Sequence, residues 1–138
     1  MMSVDKPALD LALRPLFVRW SWFASAKELI QKTREALGVQ DLPEEERDLI
    51  IFASRENDLV RKVENEDEII SALQMTFPGE KIVKFDGTKD ARANIELFQR
   101  AKAVVGPHGA GLSHIIFSAP GTKVVEFIFM ADPVSRLV

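Results

Sequence analysis

Val104-Val105-Gly106-Pro107-His108-Gly109-Ala110-Gly111-Leu112 is the stretch that decides the fold of this chain. The apolar run Ala103-Val104-Val105 predicts a short buried strand, and Gly111 to Phe117 predicts a short helix stopped by Ala119-Pro120-Gly121. Between them lies a glycine-rich turn. Glycine permits positive φ and close approach of backbone to a ligand. The N–H groups at the start of a helix, with its dipole, suit an anion. No Gly-Lys-[Ser/Thr] follows, so this is not a Walker loop. Nor is it the usual dinucleotide fingerprint, which follows the first strand of its unit. Glycines alone would serve a tight turn; a histidine between proline and glycine suits a polar group aimed into a cleft.

The same pattern extends outward from this stretch. Leu49-Ile50-Ile51-Phe52-Ala53 predicts a buried strand, Lys81 to Phe85 a second and Lys123 to Phe129 a last one. Glu66 to Phe77 predicts a helix with Ile69, Ile70, Leu73 and Phe77 on one face, Asn65 as its cap, and acids in the first turn where the dipole favours them. Ala91 to Ala101 predicts another, with Ile95, Leu97, Phe98 and Ala101 inward. Apolar strands alternating with helices imply an α/β fold: a Rossmann-like parallel sheet with helices on both faces. Ligands of such sheets sit at the carboxyl ends of the strands, near the switch in strand order. Ahead of this pattern, Ser25, Glu28 and Gly38 predict a helix from Ala26 to Leu37, and the charged run Pro43 to Asp48 punctuates the chain. The expected division is an N-terminal helical segment, residues 1–45, and a Rossmann-like nucleotide-sugar-binding unit, residues 46–138.

Composition narrows the chemistry. The chain has 138 residues, about one domain's worth, with 46% apolar and 28% charged residues. Eighteen basic against 21 acidic side chains give a net charge of −3, which does not support nucleic-acid binding. The absence of cysteine removes disulfides and thiolate catalysis, and two histidines, His108 and His114, argue against a zinc site. No apolar stretch of about 18 residues predicts a membrane span. The apolar patches Leu9 to Leu13 and Trp20 to Phe23 are interrupted by Asp10, Arg14, Pro15 and Arg19, so no secretory signal is expected.

Four groups of residues are candidates for chemistry. His108 suits a hydrogen bond to a phosphate oxygen or service as a general base. The first is placed ahead because no acid lies near it in sequence to orient it. Arg55, directly after the first strand, and Arg61 in the following loop suit a bidentate clamp on a diphosphate, or are solvated loop arginines. Glu126 sits in an otherwise apolar strand and needs a partner: a sugar or ribose hydroxyl, Arg55, Lys123, or the solvent at a sheet edge. His114 has a packing role as its ordinary account, and Asp67 and Glu68 are helix N-terminal acids.

Taken together, Arg55…Arg61…Asn65-Glu66-Asp67-Glu68, then Val105-Gly106-Pro107-His108-Gly109-Ala110-Gly111-Leu112, Pro120-Gly121 and Val124-Val125-Glu126, resemble glycosyltransferase family 61 over Leu49 to Phe127. The resemblance implies the C-terminal, donor-binding half of a GT-B glycosyltransferase. It implies inverting sugar transfer from a UDP-sugar to a glycan or glycoprotein acceptor held by a missing N-terminal domain. It also implies the Golgi or endoplasmic reticulum lumen. By matching positions, Arg55, Arg61, His108, Gly109, Ala110, Gly111 and Glu126 would line the donor side, with His108 as the catalytic candidate. Arginines, a histidine and helix N–H groups stabilise a leaving diphosphate without a metal, and no Asp-x-Asp motif is present to hold one. The chain departs from the family pattern at Asn94 and His114. The alternative is a non-catalytic α/β interaction domain or truncated pseudoenzyme that keeps the loop only as a turn.

Overall fold

The structure, a computed structural model, describes residues 26–58, 62–87 and 90–128. The expectations placed on Leu9 to Leu13, Trp20 to Phe23, Ser25, Arg61 and Phe129 lie outside the described residues. The chain divides into two compact units, Met1–Gly38 and Val39–Val138. In the first, helix α1 is described over residues 26–36. It stops as expected at Gly38, whose φ of +67° lets its N–H fold back onto the Glu35 carbonyl at 3.1 Å.

The second unit opens with a single 3₁₀ turn, Glu44–Glu46, and then alternates strands and helices. These are β1 (Leu49–Ala53), α2 (Glu66–Thr76), β2 (Lys81–Phe85), α3 (Ala91–Gln99), β3 (Ala101–Pro107), a 3₁₀ helix (Ala110–Phe117) and β4 (Lys123–Phe127). All strand pairs are parallel, in the order β2-β1-β3-β4. The α/β class inferred from apolar alternation is the class observed.

β1 is buried at all five positions because it is apolar throughout and covered on both faces. Successive side chains point to opposite sides. Leu49, Ile51 and Ala53 pack with Phe85, Val104, Phe98 of α3 and Leu112 of the 3₁₀ helix. Ile50 and Phe52 pack with Val105 and with Ile69, Ile70 and Leu73 of α2. Phe98 is fully buried, edge-on to Phe85 at 5.0 Å between centroids. Burial of one such ring stabilises by roughly 2–3 kcal/mol.

Three local expectations are corrected. Asn65 stands at the N-cap of α2 but caps nothing; its amide donates to the Glu68 carboxylate at 3.3 Å. Ala101 belongs to β3 rather than to the preceding helix, since α3 ends at Gln99 and the chain enters the sheet directly after Arg100. The last strand is an edge, with Val124 46% and Val125 49% exposed, so apolar content there does not signal burial. The short helix expected over Gly111 to Phe117 is present as a 3₁₀ helix, Ala110–Phe117. Ser113 Oγ donates to the Ala110 carbonyl and the Leu112 N–H bonds Gly109 three residues back, which favours the tighter winding.

One ion pair ties the amino ends of the two central strands. Arg100 grips Asp48 with two bonds, 3.0 Å from Nε and 2.5 Å from its terminal nitrogen, while the Leu49 N–H donates to the Arg100 carbonyl. The guanidinium hydrogen bonds hold the Asp48 carboxyl below the ordinary value of 3.8. A depressed carboxyl stabilises the fold above its unfolded pKa, and that contribution fades as pH falls through the folded value. Both side chains are about half exposed. Arg100→Ala should therefore lower the stability read from urea unfolding slightly at pH 7, by about a few tenths of a kcal/mol, with the difference from wild type fading as pH falls through the lowered Asp48 value. A difference that persisted below that value would show that packing, not charge, is lost.

Candidate functional site

The sheet order places a fork in the chain at the carboxyl edge. From β1 the chain passes through α2 to β2 on one side; from β2 it passes through α3 to β3 on the other side of β1. The loops after β1 and β3 therefore diverge from neighbouring strand ends, the place where open α/β sheets bind ligands.

The loop after β1 is held from below by Glu66, the first residue of α2. Its carboxylate accepts from Ser54 Oγ at 2.6 Å and from the Arg55 N–H at 3.1 Å, and lies 3.2 Å from Lys84 Nζ. Glu66 is 5% exposed, so this is a satisfied buried anion rather than a solvated helix-end acid. Ser54 Oγ in turn accepts from the Glu56 N–H at 3.1 Å. Lys84 also bonds Glu56 at 2.5 Å; the two carboxylates raise the Lys84 pKa, and the ammonium lowers that of Glu56. In sequence, Glu66 reads as one of the first-turn acids of α2 and as part of the family pattern, with nothing to link it to the loop after β1. Its partners lie eleven and more residues away, across a loop whose path no local pattern reveals.

The loop after β3 packs against that one. The Gly106 α-carbon sits so close to β1 that a Cβ there would lie 2.7 Å from the Ala53 carbonyl oxygen and 2.8 Å from its Cβ. At Gly109 a Cβ would land on the Arg55 guanidinium. Arg55 thus lies directly over the glycine, donating to the His108 carbonyl at 3.2 Å. Its Nε lies 2.5 Å from the Asp58 carboxylate, an ion pair within the loop. The 3₁₀ helix begins at Ala110, so the first N–H groups of that segment have no intrahelical acceptor.

Between the two loops lies a cavity of about 410 Å³, lined by residues 54–58, Phe85, Asp86, Gly87, Ala110, Gly111 and His114. That volume lies in the range of small-molecule sites. His114 is chiefly an aromatic-cluster residue, 4.9 Å from Phe85, 5.4 Å from Phe98 and 6.0 Å from Phe117 between centroids. Its packing role is the ordinary one expected of it. Asn94, the other departure from the family pattern, is buried in α3.

The remaining candidates stand apart from the cavity wall. β3 pairs with β4 to its end, Gly106 opposite Glu126 and Pro107 opposite Phe127, and the His108 N–H donates to the Phe127 carbonyl at 3.0 Å. This register sets His108 beside Glu126, with Nδ1 2.7 Å from Oε1. The acid missing from the neighbourhood of His108 in sequence is thus supplied by the next strand. The site has two parts on either side of one loop: Arg55, Ala110 and Gly111 at the cavity, and His108 with Glu126 on the β4 side.

The sequence matches the family model described as glycosyltransferase 61 over residues 8–125. It is also similar to Beta-1,2-xylosyltransferase RCN11 of Oryza sativa subsp. japonica, at 33% identity over 93 residues, covering 57% of this chain and 17% of that protein. The chain spans less than one fifth of that relative's length. Among the described residues, no helix is long and apolar enough to cross a membrane.

Proposed function

This chain belongs to glycosyltransferase family 61, and on that premise we propose that it is the donor-nucleotide half of an inverting, UDP-sugar-dependent transferase of GT-B type. The observation that carries this reading is that Arg55, which lines the cavity between the β1 and β3 loops, has its guanidinium lying over Gly109. A sugar leaves its nucleotide with charge building on the diphosphate. Fixed donors near that charge lower the barrier without reorganising at the moment of reaction. Arg55, the Ala110 and Gly111 N–H groups and the start of the 3₁₀ helix are such donors. Arg61 joins them by the family pattern alone. Asp58 holds the guanidinium in place, and the diphosphate competes with it for that charge. The similarity to a xylosyltransferase supports a pentose or hexose donor, with a glycan as acceptor on a partner domain, and work in the Golgi or endoplasmic reticulum lumen.

Calorimetric titration of the full chain with UDP tests this. Wild type should bind, and Arg55→Ala should bind about tenfold more weakly, the effect of one charge-assisted hydrogen bond. Equal affinities would remove Arg55 from the site. A folded wild-type chain that took up no UDP would end the donor-half reading.

A further inference from the structure

We infer that Glu126 is a positioning residue that holds His108 in the tautomer whose Nε2 accepts a proton, so that the pair serves a substrate hydroxyl rather than a phosphate. The inference rests on the donor-half reading and adds to it the role of the second part of the site.

The argument begins with proton inventory. An ionised carboxylate has no proton to give, so the 2.7 Å contact between Glu126 Oε1 and His108 Nδ1 requires the proton on Nδ1. In a neutral ring Nε2 then carries only a lone pair, and it has no hydrogen-bond partner among the described residues. A phosphate oxygen wants a donor; a hydroxyl can give its proton to that lone pair. The His108 backbone is held on both sides, its N–H by the Phe127 carbonyl at 3.0 Å and its carbonyl by Arg55 at 3.2 Å, and the ring itself is held by Glu126 at Nδ1. A carboxylate behind an imidazole is the arrangement that selects tautomer and ring direction in proton-accepting histidines. The side chain is 63% exposed, so an incoming hydroxyl meets no barrier of packing. On the donor-half reading the phosphates go to the other side of the loop, where Arg55, Ala110 and Gly111 line the cavity and His108 does not.

In the transfer step the acceptor hydroxyl oxygen bonds to the anomeric carbon as the bond from that carbon to the diphosphate oxygen breaks. The hydroxyl proton passes to His108 Nε2. The nucleoside diphosphate leaves with the bonding electron pair, and the imidazolium is neutralised by Glu126. His108 is then the catalytic residue, and Glu126 acts through it.

Nitrogen NMR of the histidine rings tests this on the full chain, in alkaline buffer where imidazole is neutral. The wild-type His108 ring should show the proton on Nδ1. Glu126→Ala should move it to Nε2 or average the two nitrogens, and Glu126→Gln, whose amide oxygen still accepts, should keep it on Nδ1. A wild-type ring protonated at Nε2, or a Glu126→Ala spectrum identical to wild type, overturns the inference without any variant having to bind a ligand. Adding UDP separates the two proposals. UDP that binds and leaves Nε2 bare supports both. UDP that binds and makes the ring doubly protonated keeps the donor site but makes His108 a phosphate ligand, overturning the inference. No UDP binding overturns the donor site and, with it, the transfer step assigned to His108.

Discussion

Gly106→Ala should destabilise the Val39–Val138 unit by about 3 kcal/mol, at the upper end of the usual cost of overpacking. The added methyl would stand 2.7 Å from the Ala53 carbonyl oxygen, 2.8 Å from its Cβ and 3.3 Å from its Cα. Two of these atoms are backbone of β1, one of the two central strands, each of which pairs on both sides. They cannot give way without opening the β1–β3 ladder at the edge where the site is built. The measurement is urea unfolding, in which the midpoint should fall by about 2 M at a typical slope for a domain of this size. Gly79→Ala is the control: a Cβ there meets nothing within 4 Å, and its effect should stay within about 0.5 kcal/mol. Ala53→Gly in the Gly106→Ala background should recover only part of the loss, because it removes the Cβ contact and leaves the carbonyl contact. An unchanged Gly106→Ala midpoint would mean that the two strands are not in this register.

Glu66→Ala should cost about 2–3 kcal/mol and also weaken UDP binding. The carboxylate accepts from Ser54 Oγ and the Arg55 N–H and faces Lys84 in a position that is 5% exposed. Its removal leaves these donors without their acceptor, and such groups cost about 1–3 kcal/mol each when they stay buried. Lys84 is one-third exposed, so its share is largely regained from water. With its floor gone, the loop of residues 54–58 no longer fixes Arg55 over Gly109. The loss in the UDP titration should approach that of Arg55→Ala, although Glu66 itself touches no ligand. Glu66→Gln keeps an acceptor and should lose less on both counts. A Glu66→Ala chain as stable as wild type would mean that the loop is held from elsewhere. One that lost stability but bound UDP normally would separate the loop from the donor site.

The elements were legible where local rules decide them. Leu49-Ile50-Ile51-Phe52-Ala53 is apolar throughout, and such a run is stable only inside a covered sheet, so β1 is predictable from five letters. Gly38 ends α1 because left-handed backbone costs glycine least. The helix faces of Ile69, Ile70 and Leu73, and of Ile95 and Phe98, follow from a period of 3.6. Legibility fell where neighbours compete. Ala101 satisfies a helical period as well as a strand, and only the pull of the sheet on β3 assigns it. Val124 and Val125 carry strand propensity, which says nothing about whether another layer covers them.

By itself, then, the sequence determined the class of the fold, the positions of its strands and helices, and the glycine loop with Arg55, His108 and Glu126 as residues of interest. Those are consequences of sterics and periodicity within a dozen residues of each position. The tertiary structure decided which of these residues meet. Strand order β2-β1-β3-β4 and the register Gly106 opposite Glu126 bring His108 to a carboxylate eighteen residues on, place Arg55 over Gly109, and bury Glu66 beneath Ser54. Contacts across such distances depend on which strands pair and in what register. That choice is settled by the burial of the whole sheet at once, and no short stretch of sequence carries it.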